Sequence, residues 1–384
     1  MKIAMIGQKG IPAGFGGVER HVHDISEHLV LRGKDITVYS RLWYTKTRIS
    51  IYKGVRVVYV PSAHTKHLDT ITYAFFATLH AMASGVDTIH YHGVGPALCS
   101  WIPRIFAPRI RVITTFHSID RLHKKWGWFA RLALRAGEWM ACNVPHNTIV
   151  VSRALQRYVA ETYGCAAEYI PNAVPKIHKN IGTKLIQELG IQKEKYVLVV
   201  SRFVPHKEIH TIIAAWKRGV QTGLFAGLHL VIVGDGYYTD EYTTRLRDMA
   251  AGESSIIFTG FVVGPLLEQL YSHARCFVHA SSEEGLPYSV IEAMAYANPV
   301  LVSDIPQHKE LVSDQAYRFP VHNTVALMHR IARMCALNQE ERKQIGKVFR
   351  RNIRQQYSLS RTVESLVHEY GRQEPQEFVL IAKK

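Results

Sequence analysis

The chain has no Cys-x-x-Cys, no Asp-x-Asp and no apolar run of eighteen residues, and each absence excludes something. Five scattered cysteines (Cys99, Cys142, Cys165, Cys276, Cys335) in 384 residues argue against a disulfide framework or a zinc site and suit a reducing cytoplasm. None of the ten Asp residues stands two positions from another, so no close aspartate pair is on hand to hold a divalent ion. Nothing is long and apolar enough for a membrane-spanning helix. The opening Met1-Lys2-Ile3-Ala4-Met5-Ile6-Gly7 lacks the h-region and cleavage site of a signal peptide. Negative charge is also scarce: 31 Asp+Glu face 47 Lys+Arg, for a net +16. That bias favours contact with polyanions, whether nucleic acid, anionic lipid or phosphorylated substrates.

Hydrophobic content is 47% and charged content 20%, which indicates a globular protein with a sizeable core. The length suits two domains. Strand-like runs at 3–7, 35–40, 55–60, 88–91, 111–116 and 148–151 alternate with helical patterns. Val18, Val22, Ile25 and Leu29 form one apolar helix face, and Gly33 is a plausible terminator. Ser152 reads as the N-cap of a helix running to about Tyr163. A second strand series follows at 196–201, 229–233, 256–259, 276–280 and 300–303. Two such series predict an α/β chain with two Rossmann-like, doubly wound parallel sheets. The expected boundaries are 1–172 and 173–355, with 356–384 as a C-terminal helix and tail packing back on the first domain. Ligands of such sheets bind beyond the carboxyl ends of the strands, so the site is expected in the cleft between the domains.

The segment Glu284-Gly285-Leu286-Pro287-Tyr288-Ser289-Val290-Ile291-Glu292 carries two carboxylates eight positions apart. Pro287 suits the first turn of a helix, which puts Glu284 just before it and Glu292 about two turns in. Backbone N–H groups at such a helix start are a ready anion site. One carboxylate accepts from sugar hydroxyls while the other holds a second polyol such as ribose. The combination suits a sugar nucleotide; the plain alternative is a turn before a buried helix with two solvated acids. Gly7-Gln8-Lys9-Gly10-Ile11-Pro12-Ala13-Gly14-Phe15-Gly16-Gly17 is a glycine-rich loop that opens a helix and lets backbone approach a phosphate; a purely structural turn fits nearly as well. Its spacing is not that of a dinucleotide fingerprint, and Ser40-Arg41 stands where such a fold wants an acid. Arg202 and Lys207 follow a strand's carboxyl end, where Arg can grip phosphate as a fork and Lys as a point charge; on the residues alone, solvated charges on a loop are the better reading. His117 follows the strand 111–116, a position that a structural histidine fills equally well.

These motifs, in this order, resemble the retaining glycosyltransferases of family 4, which have the GT-B fold. The likeness extends through Ile170-Pro171-Asn172-Ala173-Val174, Val233-Gly234-Asp235-Gly236, Thr259-Gly260-Phe261-Val262 and Ser303-Asp304-Ile305-Pro306 with Glu310. It covers residues 1 to about 310. Ala173 replaces a family Gly, as does Ser118. The resemblance implies that Glu284 contacts the transferred sugar and Glu292 the ribose. It places Gly16 and Gly17 against the donor diphosphate or the acceptor. It gives Arg202 and Lys207 the departing diphosphate, and His117 a place beside the reacting sugar. Asp235, Phe261, Val262, Gly285, Leu286 and Pro287 complete the implied donor site. No cofactor or metal is expected, because fixed cations and helix dipoles neutralise the leaving group.

The run Arg121–Arg135 is basic and aromatic. Wound as a helix, it puts Lys124, Arg131 and Arg135 on one side with Trp128. That face suits an anionic membrane surface; a core-packed helix with a solvated basic face, or an acceptor-site wall, fits it as well. The segment and the Gly-Ile-Pro loop resemble a rhamnosyltransferase-like branch of the family. The reading is a cytoplasmic transferase, peripheral on the inner face of the membrane, moving a sugar from a nucleotide-sugar donor to a hydroxyl of a glycan or lipid-linked acceptor. Its rivals are a nucleotide-sugar epimerase or phosphorylase of similar fold, and a basic nucleic-acid-binding protein. No nucleic-acid motif supports the last.

Overall fold

The computed structural model describes residues 1–14, 16–45, 47–65, 68–122, 127–174, 177–178, 180–236 and 240–372. The chain forms two compact units. One contains residues 1–173 and the helix Leu359–Gly371; the other contains residues 174–358.

The first unit is built on an eight-stranded sheet. Its strands are β1 (Lys2–Ile6), β2 (Asp35–Arg41), β3 (Ile51–Tyr52), β4 (Val55–Val60), β5 (Thr88–His92), β6 (Arg111–Phe116), β7 (Asn147–Val150) and β8 (Glu168–Tyr169). The order is β3-β4-β2-β1-β5-β6-β7-β8, parallel except where β3 pairs antiparallel with β4. Lys53 and Gly54 make that hairpin turn with φ of 47° and 84°, the positive pair that a two-residue type I′ turn requires. The second unit has six parallel strands: β9 (Tyr196–Val200), β10 (His229–Val233), β11 (Ile256–Gly260), β12 (Cys276–His279), β13 (Val300–Ser303) and β14 (Arg318–Phe319). They are ordered β11-β10-β9-β12-β13-β14. Central strands such as Ile3–Ile6 and Val197–Val199 are apolar without alternation and buried, because helices cover both sheet faces.

Strand order reverses beside β1 in the first sheet and beside β9 in the second. Crevices form at the carboxyl ends of such strands. In the second unit the loops there are laced together: Ser201 N donates to Val233 O at 3.0 Å, Phe203 N to Asp235 O at 2.9 Å, and Gly234 N to Gly260 O at 2.9 Å. Gly234 makes this possible. Its φ is +137°, and a Cβ would stand 1.8 Å from Ser201 O. Gly234→Ala is expected to lower stability by about 1–3 kcal/mol from backbone strain alone, with the clash added. An unchanged urea midpoint would show that the loops do not approach this closely.

The helix Gly17–Leu31 buries Val22, Ile25 and Leu29. Val363, Leu366 and Tyr370 of the helix Leu359–Gly371 join the same apolar cluster. Arg32 pairs with Glu364 at 3.2 Å, and Asn147 donates to Glu369 at 3.0 Å. All five cysteines are buried free thiols. No helix among the described residues is long and apolar enough to cross a membrane.

The basic segment differs from its expected continuous helix. A 3-10 turn, Asp120–Leu122, precedes a helix that starts only at Trp128; Lys124, Lys125 and Trp126 lie outside the described residues. Arg121 is not part of an exposed face. Its Nε donates to Glu138 at 3.2 Å, and Glu138 is fully buried with Tyr158 and Tyr163 hydroxyls at 2.7 Å. A buried carboxylate needs such a counter-charge.

Candidate active site

In the second unit, β12 ends at His279 and the chain turns through Ala280–Pro287 into the helix Tyr288–Ala295. Pro287 is extended, with φ −72° and ψ 110°, so it stands before the helix rather than in its first turn. Glu292 is therefore little more than one turn in, not two. Glu284 is not a solvated acid. Its side chain is 9% exposed, and its Oε1 accepts from Lys207 Nζ and lies 2.7 Å from His279 Nε2. Burial pushes the Glu284 carboxyl up, but the Lys207 ammonium and the His279 hydrogen bond outweigh it. The carboxyl is held well below the usual range and stays ionised.

Lys207 closes the short turn Pro205–Lys207 after β9, and its side chain is 12% exposed. Arg202, just beyond β9, is exposed and near enough for its charge to act on Lys207. Two cations and one carboxylate thus meet at the carboxyl ends of β9 and β12. Behind them, Ser281 Oγ lies 3.0 Å from His279 Nε2. His308 Nδ1 donates to Ser303 O at 2.8 Å, which leaves its Nε2 bare and buried. Burial holds His308 down to about 3.

The other donor candidates are placed separately. Glu292 Oε2 accepts from Tyr271 OH at 3.1 Å. Asp235 is exposed and receives Gly236 N at 2.8 Å. Phe261 is exposed and Val262 half-buried just after β11. Gly285, Leu286 and Pro287 are buried beneath the turn.

The first unit holds the remaining candidates. His117 follows β6 and is buried among histidines. Its Nε2 lies 3.2 Å from His92 Nδ1, and its ring meets His21 edge-on with centroids 5.3 Å apart. The His90 ring lies against His92 at a tilt of 33°, centroids 4.1 Å apart, and is tied to Thr115 and Tyr370, each at 2.7 Å. Burial holds His21 down to about 4 and His90 to about 3. Gly16 caps the helix that Gly17 opens, with φ 99°. A Cβ on Gly16 would lie 2.0 Å from Glu19 Oε2, while Glu19 Oε1 accepts from Lys9 N at 3.2 Å. Glu19 therefore ties down the loop at Lys9 and leaves no room for a side chain at Gly16.

Two groups among the described residues bring possible metal-ligand atoms within 4.8 Å of one another: His21, His92 and His117, and His279, Glu284 and His308. In the second group Lys207 already sits on the carboxylate that a cation would use. His92, His279 and His308 were not singled out from the sequence. The available signal was position: His92 is the last residue of β5 and His279 the last of β12, where parallel sheets carry their ligands.

Two family models match the chain. "Glycosyltransferase Family 4" covers residues 15–176 and "Glycosyl transferases group 1" covers residues 183–351. An uncharacterized glycosyltransferase, MJ1607 of Methanocaldococcus jannaschii, is 24% identical over 340 residues, 82% of this chain and 83% of its own. The GDP-mannose-dependent alpha-mannosyltransferase of Mycobacterium tuberculosis is 24% identical over 379 residues, 92% of each chain. The structure of Anabaena Alr3699/HepE in complex with UDP-glucose shares the fold, with TM-score 0.78, 19% identity, and coverage of 96% of this chain and 99% of that one. Two parallel-sheet units, each with its own match, make this chain a glycosyltransferase of the GT-B class. Within that class, its first unit carries the family 4 match.

Proposed function

We propose that the chain is a retaining, metal-independent transferase that moves a hexosyl or rhamnosyl group from a nucleoside diphosphate sugar to a hydroxyl of a glycan or lipid-linked acceptor. The observation that carries this reading is the meeting of Lys207, Glu284 and His279 beside exposed Arg202. It supplies positive charge for a departing diphosphate and an ionised carboxylate for sugar hydroxyls in one place. Donor binding exchanges the Lys207 partner from Glu284 to phosphate and frees carboxylate oxygen for the sugar. Attack from the face of the departing phosphate keeps the anomeric configuration. Among the similar proteins, one is named for GDP-mannose and one was solved with UDP-glucose, so both nucleotide classes belong in the test.

The test is nucleotide release from a panel of GDP- and UDP-sugars, with and without a glycan-lipid acceptor and with chelator present. Release that depends on acceptor and survives chelation is expected. Conversion of the sugar without nucleotide release points to an epimerase and overturns the reading. Within the site, Glu292→Gln should weaken donor binding, because its partner is the ribose. Glu284→Gln should slow turnover with donor still bound. Equal binding and turnover in the two variants and the parent would sink that division of roles.

The reading extends to a membrane surface. Trp128, Phe129, Leu132 and Trp139 are exposed on the helix Trp128–Asn143, with Arg131 and Arg135 exposed beside them. In the same unit, the helices Asp69–Ala83 and Trp101–Phe106 expose Phe75, Phe76, Leu79, Trp101, Ile105 and Phe106. Exposed apolar side chains beside cations suit an anionic bilayer, at about 1 kcal/mol per cation. Sedimentation with anionic vesicles should fall in Arg131→Gln/Arg135→Gln and at high salt. Undiminished sedimentation of the variant would place the contact elsewhere.

A further inference from the structure

His117 is held from one side. Its Nε2 meets His92 Nδ1 at 3.2 Å, and among the described residues its Nδ1 has no hydrogen-bond partner. His92 Nε2 lies 3.4 Å from Met5 Sδ. A thioether sulfur has lone pairs and no proton, so it can only accept. Both rings are buried, and burial holds each in its neutral form with a single proton.

Two placements of those protons are open. In the first, His92 carries its proton on Nδ1 and donates to His117 Nε2. His92 Nε2 then points a lone pair at the lone pairs of Met5 Sδ. In the second, His92 carries its proton on Nε2 and donates to the sulfur. His92 Nδ1 then accepts from His117 Nε2–H. The second placement makes two hydrogen bonds where the first makes one, and it leaves no buried lone pair facing another.

The surroundings agree. His90, tilted against His92, has both ring nitrogens engaged by Thr115 and Tyr370 and competes for neither proton. His21, edge-on to His117, is itself buried and held neutral, its Nδ1 without a partner. Among the described residues, no lysine or arginine acts on these four rings.

We infer that Met5 and His92 fix His117 as its Nε2–H tautomer and so present its bare Nδ1 to substrate as a hydrogen-bond acceptor. The group docked on His117 must then be a donor: a hydroxyl of the transferred sugar or of the acceptor. A phosphate oxygen, which brings only lone pairs, is excluded there. Leaving-group charge is left to Arg202 and Lys207. His92 is a positioning residue that acts through His117, and Met5 acts through His92. The substrate half of this inference rests on His117 standing in the transfer site; the tautomer half does not.

The experiment is a long-range 1H–15N correlation spectrum of the full chain with 15N-labelled histidine, near pH 7.5. Protonated and bare ring nitrogens resonate far apart, and loss of signals in His117→Gln and His92→Asn assigns the two rings. The expected pattern is a protonated Nε2 and bare Nδ1 on both. A protonated Nδ1 on His117 overturns the inference. In His92→Asn the amide oxygen can replace the lost acceptor, so His117 should keep its tautomer and most of its transfer rate. His92→Leu offers no acceptor. There His117 should average between tautomers, with kcat down about tenfold, the equivalent of one hydrogen bond, and donor KM unchanged. A His117 that keeps Nε2–H in His92→Leu would show that His92 does not set it. If the parent spectrum shows the expected tautomer while His117→Gln transfers sugar at the parent rate, the hydroxyl contact is overturned and the tautomer stands. The wild-type spectrum decides the tautomer even if His92→Leu fails to fold.

Discussion

Lys207→Met should leave the protein both inactive and fragile. The activity loss is expected at about a hundredfold to a thousandfold, because a fixed charge aimed at a departing diphosphate is typically worth roughly 2.7–4 kcal/mol of barrier. The stability loss has another cause. Glu284 is 9% exposed and ionised against the Lys207 ammonium. Removing one partner of a buried pair strands the other charge and costs about 3–5 kcal/mol. The double variant Lys207→Met/Glu284→Gln removes the stranded charge, so its urea midpoint should return most of the way while transfer stays lost. That split separates folding from chemistry. A single Lys207→Met variant with the parent midpoint would mean that the pair is not formed in solution.

Acid should unfold the protein well before its carboxylates protonate. His21, held at about 4, and His90 and His308, held at about 3, are buried and neutral when folded, whereas an unfolded histidine titrates near 6.5. Above that value neither state binds the proton, and the full stability is present. As pH falls below it, the unfolded chain takes up protons that the folded chain refuses, and stability declines until the folded values are passed. At pH 5 the loss is about 2 kcal/mol for each such histidine. Three of them approach the 5–15 kcal/mol that holds a typical domain together. His21 and His90 lie in the first unit and His308 in the second, so both units should soften. The window is separate from that of carboxylates such as Glu208. That group is held at about 2: burial pushes it up, but its hydrogen bonds to His210, Thr211 and His322 outweigh this. Its contribution is present above the ordinary carboxylate value and is lost only as pH falls toward 2. Urea midpoints that stay level between pH 7.5 and pH 5 would contradict the histidine argument.

The long parallel strands were readable because apolar residues follow one another without a break at 3–6, 197–200 and 230–233. Such runs, bounded by turns, suit strands covered on both faces. Three strands, β3, β8 and β14, escaped because two residues at a sheet edge carry no period. The contact between Lys207 and Glu284 was not readable, because 77 residues separate them and only the sheet order brings the ends of β9 and β12 together. The resemblance named both residues without saying that they touch. Spacing also misplaced the helix start by one residue, since Pro287 fits the cap and the first turn equally well on paper and its extended backbone decides. His92, unlike His117, was passed over because a lone His has no pattern. Its role comes from pairing across strands β1, β5 and β6, where Met5, His92 and His117 converge.

The helix Leu359–Gly371 belongs to the unit that the chain begins, not to the one it has just completed. Residues 174–358 are continuous, and Val174 N donates to Tyr357 O at 2.7 Å, so that unit closes on its own ends. The first unit must wait for Val363, Leu366 and Tyr370 to cover Ile3, Met5 and Ile25. On the ribosome, the half made first is therefore finished last. Its apolar face and the buried histidine His90, which needs Tyr370 as a partner, stay uncovered while nearly two hundred further residues are made, at about 5–20 residues per second. During those tens of seconds the nascent chain offers chaperones their longest opportunity to bind.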